Sequence, residues 1–282
     1  LTLGAFYFPQ KLDYRERRTF GSIVTVFGGD VETESLAGFV NGDFHITEQL
    51  TLSAGARYTR EKKSANIAPQ AAPLGVAPSN CDAVTLSCRF TFAGSNVSTG
   101  WTPRVALQFE PTSDVMLYAS WGKGLRSGGY NLRHTLANVT PQVTDDEKLT
   151  NYEIGAKTQF LDRRVTLNVA AFRNEIDSIL RDTVVFVESV GFVQLNQNAG
   201  DAVVQGAEAE LTFEVTDNFT VFGSVGYLDN KWDDIFLDIS GDQVINQIDY
   251  DLILPRLSEW TTNVGAVARV PTGMGEFVVR GN

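Results

Sequence analysis

The chain has 282 residues, enough for one large β-domain or two ordinary domains. Its net charge of −11 argues against a nucleic-acid partner, because binding phosphate calls for a basic surface. Apolar residues at 43% and aromatics at 11% exclude general disorder, and with no run of about 18 apolar residues no helix spans a bilayer, although barrel strands cross with only about 9–11 residues.

In chain order, residues 1–8 read as a strand that begins without a signal peptide, so the chain is expected to start within a longer protein. Lys11 to Thr33 reads as a polar excursion, and Ser35 to Ile46 as a second strand with Asn41, Asp43 and His45 on one face. Thr47-Glu48-Gln49 turns the chain. Leu50 to Arg60 then alternates Leu50, Leu52, Ala54, Ala56 and Tyr58 against Thr51, Ser53, Gly55, Arg57 and Thr59. Residues 61–99 read as a long connection. Beyond it Trp101, Val105, Leu107 and Phe109 alternate with Thr102, Arg104, Gln108 and Glu110, and a turn at 110–114 leads into Val115, Leu117, Ala119 and Trp121.

Residues 128–147 form a second polar connection. Tyr152, Ile154, Ala156 and Phe160 then face away from Asn151, Glu153, Lys157 and Gln159, and 161–164 turns into a strand that continues irregularly toward Val187. The clearest hairpin runs from Asn198 to Asp234. Ala207, Ala209, Leu211, Phe213 and Val215 oppose Glu208, Glu210, Thr212, Glu214 and Thr216; the chain turns at 216–218 and leaves through Phe219, Val221, Gly223, Val225 and Tyr227. After a loop at 235–255 come a strand through Trp260, Val264 and Val270 and a final fragment, giving ten full strands and part of an eleventh.

Short turns near Glu48, Ser113, Asp162, Asp217 and Thr272 are separated by 65, 49, 55 and 55 residues, with one long polar connection between each pair. Short turns at one end and long loops at the other define an up-and-down outer-membrane barrel, whereas turn signals in a soluble sandwich recur about every 8–12 residues. The predicted fold is therefore all-β, an antiparallel transmembrane barrel wall. Arg57, Arg104, Lys157, Glu208 and Glu210 (with Arg269) fall on the non-apolar face and are expected to line a wet lumen. The apolar face ends in Tyr58, Trp121, Phe160, Tyr227 and Trp260 and is expected to meet lipid.

Cys81 and Cys88 read as a candidate local disulfide, with two unconnected cysteines the alternative; His45 and His134 are too far from them in sequence to suggest zinc, and no metal site or cofactor is expected. Gly122, Gly124, Gly128 and Gly129 miss the G-x-G-x-x-G spacing, because residue 127 is serine, and instead suggest a bend at a barrel rim. Arg126, Tyr130 and Arg133 follow where a strand becomes a loop, placing two cations and a flat ring as candidate contacts for an anionic ligand. Glu208 and Glu210 have no nucleophile or histidine beside them, so they suggest a wall rather than catalysis. Asp229, Asp233, Asp234, Asp238 and Asp242 lack EF-hand spacing and read as a solvated loop group. The glycosylation patterns at Asn96 and Asn138 are incidental in this setting.

The segments TLSAGARYTREKK, YASWGKGLRSGGYN, NYEIGAKTQFLDRRVTLNVAAFRNEID, NAGDAVVQGAEAELTFEVTD and GYLDNKWDD, in this order, resemble successive strands in the C-terminal part of a TonB-dependent outer-membrane receptor. The resemblance implies that residues 1–282 are part of one barrel domain, about half of a wall of about 22 strands closed around a plug. It also implies import of a scarce nutrient, siderophore-type or similar, across the outer membrane of a Gram-negative bacterium, with energy relayed through a TonB complex. Neither a plug nor a terminal aromatic strand is evident in the sequence. The competing expectations are a passive porin, which would need no energy partner, and a structural or adhesive surface β-protein.

Overall fold

The computed structural model describes the whole chain except residues 21–22, 69–80, 83, 133–140 and 188–190. Eleven strands make one antiparallel sheet in strict sequence order: β1 (Thr2–Phe20), β2 (Ile23–His45), β3 (Leu50–Ala68), β4 (Phe92–Thr112), β5 (Val115–Arg126), β6 (Glu147–Phe160), β7 (Val165–Val187), β8 (Gly191–Thr216), β9 (Phe219–Ile235), β10 (Trp260–Thr272) and β11 (Gly275–Gly281). Between β9 and β10 lies a single helical turn, α1 (Gln247–Tyr250). Among the described residues β1 and β11 do not pair, so the sheet is an open wall, as half a barrel would be.

Connections at one end are tight. Thr47 Oγ1 accepts from the N–H groups of Gln49 and Leu50, Thr216 Oγ1 from Asn218 N–H, and Thr272 Oγ1 from Met274 N–H. These small side chains satisfy turn amides that the ladder cannot reach. Neighbouring turns are laced together, because Arg163 pairs with Asp114 at 3.0 Å and Arg164 donates to the carbonyl of Glu214 at 2.9 Å.

The alternation expected from sequence is carried through the register. Tyr58 stands opposite Trp101, Trp121 opposite Tyr152 and Tyr227 opposite Trp260, while Leu50 stands opposite Phe109. The Tyr58–Trp101 and Tyr227–Trp260 rings lie 5.1 and 4.8 Å apart, a cross-strand aromatic pairing that adds to the ladder. Trp101 and Phe109, Tyr152 and Phe160, and Tyr227 and Phe219 are each eight residues apart on one face. At about 3.4 Å per residue and about 45° tilt, eight residues span about 20 Å of membrane depth, close to the apolar band of an outer-membrane barrel. Between these rows Ile154 is 62% and Val264 76% exposed, as a face built for lipid requires.

The structure corrects two expectations. Lys11 to Thr33 is not an excursion but the upper halves of β1 and β2, paired continuously from Thr2↔Asn41 to Phe20↔Ile23. Likewise the 61–99 connection is strand at both its ends, since β3 runs to Ala68 and β4 starts at Phe92. Strands of 19 to 23 residues stand far above the bilayer. Up there both faces meet water, so alternation fades while the backbone ladder continues. The irregular course toward Val187 is a bulged ladder: the β7–β8 register shifts around Ile179, next to Ser178 at φ 58°.

Two small cores form at the loop end. Residues 235–257 fold over the inner face of β8 and β9, where Ala199, Ala202, Val204, Trp232, Ile235 and Leu254 are buried together. On the opposite face Cys81 packs with Val26 and Ala68, and Phe90 takes the Arg15 guanidinium over its ring at 5.2 Å.

Candidate functional site

The inner wall follows directly from alternation, since a strand that turns Val105 and Leu107 to lipid turns Arg104, Ala106 and Gln108 inward. These three residues, with Met116, Tyr118, Glu153 and Lys157, line a cavity of about 430 Å³ on β4, β5 and β6. Tyr118 donates a 2.7 Å hydrogen bond to Glu153 and lies across Gly155, where a Cβ would stand 2.6 Å from the ring. Arg57 is on the same face of β3, its guanidinium over the Phe6 ring at 5.0 Å and its Nε donating to Thr59 at 3.0 Å. Glu208 and Glu210 stand opposite Gly226 and Ser224 on β8 and β9 and do not join the Arg104–Lys157 cavity. Of the expected lumen cations, Arg57, Arg104 and Lys157 thus sit on β3, β4 and β6 and Arg269 on β10, with the paired carboxylates between them on β8. Aromatic residues on this inner face, among them Phe6, Phe39 and Phe222, interrupt polar runs and gave no separate signal in the sequence.

At the loop end, Arg126 closes β5 with its side chain 66% exposed and 3.8 Å from Glu147. Tyr130 turns back onto β4, its ring 5.5 Å from that of Phe92 and its hydroxyl over Gly94, where a Cβ would stand 2.7 Å away. It borders a second cavity, of about 400 Å³, with Gln10, Leu12, Tyr14, Val31, Thr33, Lys63, Gly129 and Leu132. Arg126 does not line that cavity, and Arg133 lies outside the described residues. Gly128 has a more specific task than bending a rim: a Cβ there would lie 1.8 Å from the carbonyl oxygen of Thr144, so only glycine permits this approach.

The acidic residues of the β9–β10 region divide. Asp229 accepts from Gln205 and Asp233 pairs with Lys231, both on strand β9. Asp238, Asp242 and Asp249 instead bring carboxylate oxygens within 4.8 Å of one another. Their oxygens are occupied by the loop itself: Asp238 accepts from the N–H groups of Gly241 and Gln243, and buried Asp249 from those of Ile239, Ser240 and Asn246. Asn246 N–H foremost, with the Ser240 and Ile239 amides, holds the Asp249 carboxyl below its ordinary range despite burial. Cys81 and Cys88 are joined by a disulfide that closes a turn organised by Asp82, which accepts from the N–H groups of Val84 and Thr85.

Residues 2–275 match the model of the family described as TonB dependent receptor-like, beta-barrel. The chain belongs to this TonB-dependent receptor family. Among its relatives, a probable TonB-dependent siderophore receptor PiuA of Acinetobacter baumannii is 27% identical over 208 residues, 72% of this chain and 24% of that receptor. The metal-pseudopaline receptor CntO of Pseudomonas aeruginosa is 26% identical over 128 residues, 45% of this chain and 16% of that receptor. The chain therefore spans a quarter or less of the length of these relatives. The ferric yersiniabactin uptake receptor FyuA from Yersinia pestis has the same fold, with a TM-score of 0.75 at 16% identity over 99% of this chain and 38% of that one. As in other TonB-dependent receptors, the apolar band places this wall in the outer membrane, with the short turns on the periplasmic side and the long loops outside. The family consists of receptors and transporters rather than enzymes.

Proposed function

We propose that this chain is the ligand-facing wall of an importer that captures a scarce nutrient, of siderophore or metal-chelate type, at the cell surface and admits it with energy from a TonB complex acting through a plug. The observation that supports this most is the inner wall: charged and aromatic side chains share one face, and two cavities of several hundred Å³ open on it, a size suited to small-molecule binding. The named relatives are a probable siderophore receptor and a metal-pseudopaline receptor, which fits the same reading. Arg126 at the rim, with Arg133 in the sequence that follows it, supplies charge for an anionic chelate, and Tyr130 a flat contact.

The test is uptake by the whole protein in its own bacterium under metal limitation. Deleting the gene is expected to abolish growth on one class of metal chelate, and a protonophore is expected to stop residual uptake by the restored strain. Uptake that continues after the proton gradient collapses would identify a passive pore instead.

A further inference from the structure

The segment after β5 is held by a pair of residues on β3, 64 and more positions earlier in the chain. Lys63 Nζ donates to the carbonyls of Ser127 and Gly128, both at 3.0 Å, and lies 3.3 Å from Glu61 Oε1. An ammonium has three donors, and these three acceptors use them all. Glu61 in turn accepts from the Ser127 hydroxyl, and both side chains are mostly buried, at 24% and 22% exposure for Lys63 and Glu61. The other side of the segment is fastened as firmly. Gly128 N–H donates to Asp146 at 2.9 Å and Gly129 N–H to Thr144 Oγ1 at 3.0 Å, while Thr144 N–H returns to the Gly129 carbonyl at 2.9 Å. Tyr130, the next residue, bridges to Val143 and sets its ring at a tilt against that of Phe92.

We propose that Glu61 and Lys63 form a latch that fixes Ser127–Gly129, so that Tyr130 walls the cavity against β1 and β2 and the cavity takes an uncharged, flat ring of the ligand. The ring's place in a ligand rests on the importer reading; the latch does not. Leu12, Val31, Leu132 and the Tyr14 and Tyr130 rings supply apolar surface, Gln10 and Thr33 supply neutral polar groups, and among the described residues of the lining the one cation, Lys63, has spent its donors on the latch. Lys63 is accordingly a positioning residue. Among the described lining residues a charged ring would find no free counter-ion and would lose its hydration.

The latch is tested on the full-length receptor in detergent by hydrogen exchange. In Lys63→Met the amides of 128–130 and of Thr144 are expected to exchange about tenfold faster or more, with the β3–β4 and β5–β6 ladders unchanged. Glu61→Gln, which keeps the shape and removes the charge, is expected to act in the same direction and serves if Lys63→Met does not fold. Unchanged exchange at 128–130 in a folded variant would overturn the latch. The ring specificity is read at pH 7 by saturation-transfer NMR with 2-naphthol and 2-naphthoate, empty micelles subtracted. The 2-naphthol signal is expected to be the larger and to fall in Tyr130→Ala and Lys63→Met. A 2-naphthoate signal of equal size, or a 2-naphthol signal indifferent to both substitutions, would overturn it. Loss of the importer reading would leave the exchange result standing, and failure of the exchange test would leave uptake untouched.

Discussion

Arg126 shows how little the fold asks of a rim cation. Its contact with Glu147 is long and its own side chain mostly exposed, and such pairs add between zero and about 1 kcal/mol to stability. Glu147 meanwhile has a second role, accepting from Leu180 N–H at 2.9 Å, which does not depend on Arg126. Changing Arg126 and Arg133 together to Ala in the full receptor should therefore leave the barrel intact. If the two supply charge to an anionic chelate, chelate affinity should drop about tenfold, which is about 1.4 kcal/mol. Titration calorimetry with the transported chelate decides it, and equal affinity would remove both arginines from the site. Gly128 is the opposite kind of residue. Its Cβ would collide with backbone, not with a movable side-chain end, so Gly128→Ala should displace Ser127–Tyr130. Faster exchange of the Thr144 amide would show it.

At the scale of elements, legibility in the sequence follows the solvent. Where one face of a strand meets lipid and the other water, as from Leu50 to Tyr58, the two-residue period is strong and strands, turns and faces are all readable. Above the Tyr58–Trp101 row, Arg60, Glu61, Lys62 and Lys63 are polar on both faces, and only the backbone pairing with Thr33 to Leu36 shows that the strand continues. The latch was hidden for the same reason, compounded by its distance in sequence from Ser127. The 235–257 loop was legible only as acidic and polar; its small core needs Leu254 and Trp232 to meet across 22 positions. Asp249 holds that loop, and its pH behaviour has a definite sign. Because its folded pKa lies below the ordinary carboxylate value of about 3.9, its contribution is fully present above that value and is lost as pH falls through the folded pKa. The near-UV circular dichroism of the aromatic side chains, Trp232 among them, should hold from pH 7 to 5 and weaken below pH about 4. In Asp249→Asn it should be weakened already at pH 7, because one carbonyl oxygen cannot replace a carboxylate that accepts three backbone N–H groups. Identical spectra for the two proteins at pH 7 would place the loop's stability elsewhere.

For the whole molecule, membrane placement and ligand handling are two faces of one layer, so neighbouring residues answer to different solvents. Val105 lies four residues from Trp101 and four from Phe109, at mid-depth of the apolar band, and Gln108 on the same strand turns inward to the wet cavity. Val105→Arg should cost about 2–4 kcal/mol, the range for a cation at the bilayer midplane of a barrel. Gln108→Arg, which adds the same charge on the inner face, should cost far less because water solvates it there. Urea titration of the full-length protein folded into phosphatidylcholine vesicles measures both. A large cost at 105 with little at 108 is the pattern that a lipid-facing band and a solvated lumen require. Equal costs at the two positions would mean that the inner wall is as dry as the outer, and would remove the physical basis for a ligand path along it.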